Sequence, residues 1–227
     1  MTKDMTDRRL TSGNEGKQTG KALPGMTGQN MKYDRELPEK LKRKLSRNLS
    51  ERRYEHTLGV AYTAACLAMR HGEDPLKAEI AGLMHDCAKE FSEKELLRLG
   101  EKFGYSFRPY ELEAPQVLHA VIGPFIAKEK YGISDPEILS AIRWHTTGKG
   151  DMTLLEKIVF TADYIEPNRC KASNLPEIRR LAFEDLSYCV YRISEDTLSY
   201  LRNRGIPVDP MTGECYQWLK ENGNHDK

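Results

Sequence analysis

After Tyr33 apolar residues recur mostly at three- and four-residue steps, and helix punctuation brackets nearly every such stretch. Leu37-Pro38-Glu39 opens one helix with proline in its first turn. Ser50 is placed to cap a second helix, which runs to His71 and stops at Gly72. Along it Tyr54, Leu58, Ala61, Ala65 and Ala68 form one apolar stripe. Asp74-Pro75 starts a helix leading toward Asp86, and Asp135-Pro136 one leading to His145. Ser92 with Glu95 and Thr153 with Glu156 are capping boxes, for helices reaching about Phe103 and Ile165. Pro176 to Arg204 reads as one long or broken helix ended by Gly205-Ile206-Pro207. No run alternates apolar and polar residues as a half-buried strand would, so the pattern predicts an all-α fold.

Residues 1 to 32 lie outside this pattern. They hold five of the 17 glycines and none of the 19 Trp, Tyr and Phe residues, and they contain no Val or Ile. Such a segment cannot bury enough apolar surface to offset its ordering entropy, and it is expected to be a disordered extension. The remaining 195 residues divide into a folded part, 33 to 221, and a short tail, 222 to 227. A chain of that length buries roughly 70% of its unfolded surface, enough for one core.

Charge narrows the partners. With 35 Lys and Arg against 34 Asp and Glu, the chain has no general basic field for a nucleic acid, although a local pocket for phosphates is compatible with neutrality. No stretch approaches the roughly 20 consecutive apolar residues of a membrane helix, and a cytoplasmic, soluble protein is expected. The five cysteines are odd in number and without a CxxC pair, so they read as reduced thiols used mostly in packing. Nothing in the sequence fixes the oligomeric state, and a homodimer stays open.

Periodicity does not account for His56, the adjacent pair His85-Asp86, His119, His145 and Asp163. Each lies in or beside a predicted helix with apolar neighbours, such as Leu83 and Met84 before His85 or Phe160 and Tyr164 around Asp163. A polar group buried without a partner costs about 2 to 7 kcal/mol. One buried histidine alone is more often a hydrogen-bonded core residue than a ligand. A metal centre would satisfy all six together, because imidazole and carboxylate are ligands of iron, manganese, zinc and cobalt and a carboxylate can bridge two ions. His71 reads as a helix C-terminal residue favoured by the helix dipole, and His225 lies in the tail.

His56, His85-Asp86 and Asp163 make the H…HD…D pattern of the HD-domain metal-dependent phosphohydrolases. The surrounding words, Arg53-Tyr54-Glu55-His56-Thr57-Leu58-Gly59-Val60, Ala81-Gly82-Leu83-Met84-His85-Asp86-Cys87-Ala88-Lys89, Ile142-Arg143-Trp144-His145-Thr146-Thr147-Gly148 and Ala162-Asp163-Tyr164-Ile165-Glu166-Pro167-Asn168-Arg169, resemble the bacterial YqeK family of symmetrical bis(5'-nucleosyl)-tetraphosphatases. The likeness covers roughly Leu37 to Leu219, and residues 1 to 32 have no counterpart in it.

The resemblance implies an all-helical HD domain with a dinuclear iron centre in its core, manganese or cobalt being alternatives. His56, His85, Asp86 and Asp163 would hold one iron, and Asp86 would bridge to a second held also by His119 and His145. Gly123-Pro124 departs from the expected helix after His119, since proline removes a backbone donor and should kink it. The implied reaction is hydrolysis of a dinucleotide substrate, diadenosine tetraphosphate, to two ADP by a metal-activated water, with Asp86 and Lys89 as catalytic residues. Lys89 would neutralise phosphate charge. The turn Thr146-Thr147-Gly148 offers hydroxyls and backbone N–H groups, and Arg169 can pair bidentately with phosphate. With His119 and Asp163 these complete the expected nucleotide contacts. Arg53 shares a helix face with His56, and Tyr164 could stack on adenine. Other HD phosphohydrolase substrates, guanosine polyphosphates or nucleoside monophosphates, and a non-catalytic ADP or dinucleotide sensor are the competing readings.

Overall fold

Proline and aspartate set most of the helix starts. The computed structural model describes residues 34–170, 172 and 174–223, so the expectations for residues 1 to 32 and for His225 lie outside the described residues. Among these the elements are α1 (Leu37–Leu45), α2 (Glu51–His71), α3 (Pro75–Met84), α4 (Glu93–Lys102), α5 (Pro109–Glu113), α6 (Leu118–Tyr131), α7 (Pro136–Trp144), α8 (Leu154–Ile165), α9 (Leu175–Glu184), α10 (Leu186–Asn203) and α11 (Pro210–Asn222), with a 3-10 turn at Pro115–Val117. No strand occurs among the described residues, and none of their helices is long and apolar enough to cross a membrane.

Asp74, Asp135 and Asp209 each accept a backbone N–H from the first turn of the helix whose first residue is the following proline. Both capping boxes form, at Ser92–Glu95 and Thr153–Glu156. Ser50 departs from expectation: it does not cap α2 with its side chain but donates its hydroxyl to Glu90 Oε1 at 2.7 Å, tying the start of α2 to the turn after α3. The expected segment from Pro176 to Arg204 is two helices, α9 and α10, because Asp185 leaves the helical region and its carboxylate takes the Tyr188 N–H as the cap of α10. Helix α6 runs on through Pro124 to Tyr131.

The apolar stripe of α2 is rotated from the expected one. Ala61 and Ala68 are buried, but Tyr54, Leu58 and Ala65 are only partly so, and the buried face centres on His56, Val60, Ala64 and Leu67. The reason is that α2 is covered along one side by α3 and α8 and from another by α9. Helix α3 is enclosed almost all round: Ala78, Ile80, Ala81, Leu83 and Met84 are without exposure. Burying each of the larger of these side chains contributes about 1.5 to 3 kcal/mol. Helices α7 and α8 also pack on α3, α6 packs on α7, α10 packs on α8, and α11 packs on α10. Glu111, fully buried, explains the short α5: it accepts from Arg143 Nη2 at 2.7 Å, Tyr105 Oη at 2.9 Å and the Arg108 N–H at 2.9 Å.

Cys87, Cys189 and Cys215 are buried free thiols, in keeping with packing, while Cys66 and Cys170 are exposed. Among the described glycines, Gly82 sits tightest against a neighbouring backbone: an added Cβ would lie 2.7 Å from Ala61 Cα and 3.2 Å from the Val60 carbonyl. Neither atom can rotate away. The Gly82→Ala substitution is therefore expected to destabilise the fold by about 1 to 3 kcal/mol, despite the roughly 1 kcal/mol that alanine gains in helix propensity. Urea unfolding would check this, and an unchanged or higher midpoint would refute close α2–α3 packing as the reason for glycine.

Candidate metal centre

Five helix segments deliver the polar cluster. His56 sits in the second turn of α2, His85 and Asp86 directly after α3, His119 in the first turn of α6, His145 directly after α7, and Asp163 in the last turn of α8. These helices pack together, so their ends and faces meet in the interior, where all of these residues are at most 9% exposed except Asp163, which is partly buried. The sequence-predicted six are thus brought together from a 108-residue span of chain, His56 to Asp163.

Asp86 lies at the centre. Its Oδ2 is 3.4 Å from His85 Nε2 and 3.8 Å from His56 Nε2, and its Oδ1 is 3.3 Å from His119 Nε2 and 3.5 Å from His145 Nε2. Asp163 Oδ1 lies 3.1 Å from His56 Nε2. Within each histidine pair, His56 with His85 and His119 with His145, the Nε2 atoms are 3.3 Å apart.

Local backbone chemistry orients two of the rings. The last carbonyls of a helix have no intrahelical donor. His85 Nδ1 donates to the Gly82 carbonyl and His145 Nδ1 to the Ile142 carbonyl, both at 2.7 Å, each reaching back into the last turn of the preceding helix. Their protons are thus committed at Nδ1, which leaves the Nε2 lone pairs facing the cluster. Burial pushes the His119 imidazole down to about 4, keeping it neutral at physiological pH. Burial works against charge on Asp86, but the surrounding His85, His119 and His145 side chains outweigh it and hold its carboxyl well below the usual carboxylate range. Asp163, partly buried, is likewise held low against its desolvation by His56, His85 and Arg169. Two carboxylates among inward-facing imidazole nitrogens form a donor set suited to cations. The ligand atoms of His56, His85 and Asp163, and those of His85, Asp86 and His145, lie within 4.8 Å of one another and could each hold an ion.

The remaining predicted residues divide. Lys89 Nζ sits 3.1 Å from His119 Nε2, at the cluster, where burial pushes its ammonium down and Asp86 and Asp163 pull it back up. Thr146 Oγ1 is 3.0 Å from His145 Nε2 and 3.2 Å from His119 Nε2. Arg169 Nη2 donates to Asp163 Oδ1 at 2.6 Å, and its Nε to the Asp163 carbonyl at 2.9 Å. Thr147 and Gly148 are turned elsewhere: Thr147 is 1% exposed with its hydroxyl on the Gly148 carbonyl, and a Cβ on Gly148 would meet Cys215 of α11 at 2.6 Å. Gly148 thus packs against α11, a contact unforeseen from the sequence. His71 is a structural tie, its Nε2 donating to the Ala182 carbonyl at 2.7 Å.

Two further residues join the site. Arg53 Nη1 donates to Asp86 Oδ2 at 2.6 Å, a contact across 33 residues that helix spacing could not reveal. Glu166, 1% exposed, places Oε1 3.1 Å from His56 Nδ1; its only sequence signal is an acidic residue three positions after Asp163. Beside His56 and Asp163 opens a cleft of about 640 Å³ whose wall includes Arg52, Arg53, Glu90, Tyr164 and Arg169.

A family model described as HD domain matches residues 53–168, which contain every member of the cluster. The symmetrical bis(5'-nucleosyl)-tetraphosphatase of Bacillus subtilis is 40% identical over 177 residues, covering 77% of this chain and 93% of that one. The protein of the same name from Halalkalibacterium halodurans is 40% identical over 172 residues, covering 76% and 91%. A crystal structure of an HD superfamily hydrolase from Clostridium acetobutylicum, described as involved in NAD metabolism, superposes with a TM-score of 0.78 at 38% identity, covering 81% of this chain and 96% of that one. Matching nearly the full length of these relatives as well as the HD signature, the chain belongs to the HD-domain hydrolases and, among them, to the family of the symmetrical bis(5'-nucleosyl)-tetraphosphatases.

Proposed function

We propose that this chain hydrolyses diadenosine tetraphosphate symmetrically, to two ADP, at a pair of divalent metal ions. The observation that carries this reading is the orientation of Asp86, whose two oxygens face two different pairs of imidazoles at 3.3 to 3.8 Å. A single carboxylate so placed suits a bridging ligand. His56, His85, Asp86 and Asp163 then hold one ion, and Asp86, His119 and His145 the other. The spacing fits as well: the Nε2 atoms of each pair are 3.3 Å apart and face the same carboxylate oxygen, so one cation could take both as ligands. The family resemblance implies iron, and the same donors serve manganese or cobalt.

When bound, such ions make water nucleophilic near neutral pH and neutralise charge on the attacked phosphoryl group. Binding and orienting the rest of the polyanion falls to the chain's own side chains. Cleavage at either inner phosphorus leaves an ADP unit on each side, so both sides of the cluster must accommodate one. On the His119 side, Lys89 offers an ammonium and Thr146 a hydroxyl. On the His56 side, the 640 Å³ cleft is within the size range of small-molecule sites and carries the guanidinium groups of Arg52, Arg53 and Arg169. Arg169, anchored on Asp163 and partly exposed, keeps donors for a phosphate oxygen. This reading makes the enzyme one that acts on cytoplasmic dinucleotides.

Three outcomes are expected. Metal-loaded protein incubated with diadenosine tetraphosphate gives ADP as the nucleotide product, resolved by ion-exchange chromatography; equal amounts of AMP and ATP would overturn symmetrical cleavage. The Asp86→Ala variant loses bound metal and about 100-fold or more of the activity, since it lacks the anion that both histidine pairs face. Elemental analysis decides that point, and an alanine variant with wild-type turnover and full metal content would remove the bridging role. Reversing the charge in the cleft with Arg52→Glu raises KM for the dinucleotide about tenfold, or roughly 1.4 kcal/mol of binding, with little change in kcat. An unaltered KM would take that cleft out of substrate binding.

A further inference from the structure

His85 and His145 fix their ring protons on backbone carbonyls of the turn before them, which is open to them because each directly follows the end of a helix. His56 has no such recourse. It lies in the second turn of the 21-residue α2, where the carbonyls one turn back are already engaged by helix amides. Its Nδ1 partner comes instead from 110 residues away: Glu166 Oε1, at 3.1 Å.

We propose that Glu166 is a positioning residue that holds His56 in the Nδ1–H tautomer, so that its Nε2 lone pair is directed into the metal cluster. The proposal rests on the reading of the cluster as a metal site. A carboxylate behind a ligating imidazole fixes its tautomer and ring orientation and raises its basicity. Three features of this chain hold the carboxylate in place. The other oxygen, Oε2, accepts the Asn168 N–H at 2.7 Å. The backbone of the turn is gripped by Arg179, which donates to the carbonyls of Ile165 at 3.0 Å, Glu166 at 3.0 Å and Arg169 at 2.9 Å. Space for the carboxylate is provided by Gly59, where a Cβ would lie 2.5 Å from Oε2. Gly59, one turn after His56 on α2, is thus the residue whose missing side chain lets Glu166 reach the ring. The same turn carries Arg169 onto Asp163, so one short segment after α8 steadies both the imidazole and the carboxylate on this side of the cluster.

The test needs no catalysis. In the metal-free, full-length protein, nitrogen–proton correlation spectra of the imidazole groups should report His56 as the Nδ1–H tautomer. Glu166→Gln, whose amide oxygen can still accept that proton, should keep this tautomer, whereas Glu166→Ala should lose it and give a mixed or Nε2–H signature. Binding of Mn²⁺, followed by the loss of free-ion resonance, should weaken by about 10- to 100-fold in Glu166→Ala and by less in Glu166→Gln. Should Glu166→Ala fail to fold, Gly59→Ala supplies the second variant, displacing the carboxylate while leaving it in the chain, with the same tautomer change expected. A His56 tautomer unchanged in the variants would overturn the proposal even if wild-type protein binds Mn²⁺ and produces ADP. Wild-type protein that binds no metal would instead defeat the reading of the cluster, and the tautomer result would still stand on its own.

Discussion

The structure depends on one buried anion. Asp86 sits 4% exposed at the meeting point of the helices, and an ionised carboxylate there is tolerable only if charge and hydrogen bonds surround it. Around it stand four imidazoles and the Arg53 guanidinium. That requirement dictates which helices converge. The last turns of α3 and α7, the first turn of α6, the second turn of α2 and the end of α8 must all be brought within reach of a single side chain, and the apolar faces that pack α2, α3, α7 and α8 together accomplish this. The close α2–α3 approach at Gly82 therefore has a second consequence: the same residue that admits Ala61 against its Cα also lends its carbonyl to His85.

Helix ends are the natural place for such a cluster. A helix terminus leaves backbone carbonyls or amides without intrahelical partners, and a following side chain can use them without disrupting anything. His85 and His145 take up orphan carbonyls in this way, which spares the protein two polar groups that would otherwise need water and aligns two rings at no extra structural requirement. The mid-helix histidine, His56, follows a different rule. On α2 the backbone is saturated, so orientation must come from a distant side chain, and the space for it must come from a glycine.

Much of this was legible from the sequence because the signals were local. Capping boxes at Ser92 and Thr153 and Asp-Pro starts at Asp74 and Asp135 depend on residues three positions apart or less, and all form. Asp209-Pro210 carries the same signal and opens α11, a helix that the pattern reading did not use. The six polar residues stood out because each interrupts an apolar setting. What failed was whatever depended on a distant neighbour. Ser50 has the right residue type for a cap, but Glu90 offers its hydroxyl a charged acceptor. The α2 stripe was drawn as if one partner covered the helix, whereas several do. The turn at Thr147 and Gly148 carries no local sign of the contact that Gly148 makes with Cys215. The Arg53–Asp86 contact and the Glu166–His56 contact lie beyond any spacing rule, since they exist only once separate helices have met.

Near-neutral charge also acquires a physical meaning. A protein that binds a tetraphosphate through surface lysines would need a basic field and would attract nucleic acids as well. Here the cationic groups near the cluster are balanced by its anions: Arg53 pairs with Asp86 and Arg169 with Asp163, while Lys89, beside the His119 ring, lies in the field of both carboxylates. Each pair is nearly neutral when viewed from solvent, which accounts for 35 basic and 34 acidic residues coexisting with a site for a polyanion. Cations entering among the imidazoles would compete with the arginines for the same carboxylate oxygens, because Asp86 Oδ2 is both the acceptor for Arg53 and the oxygen facing His56 and His85.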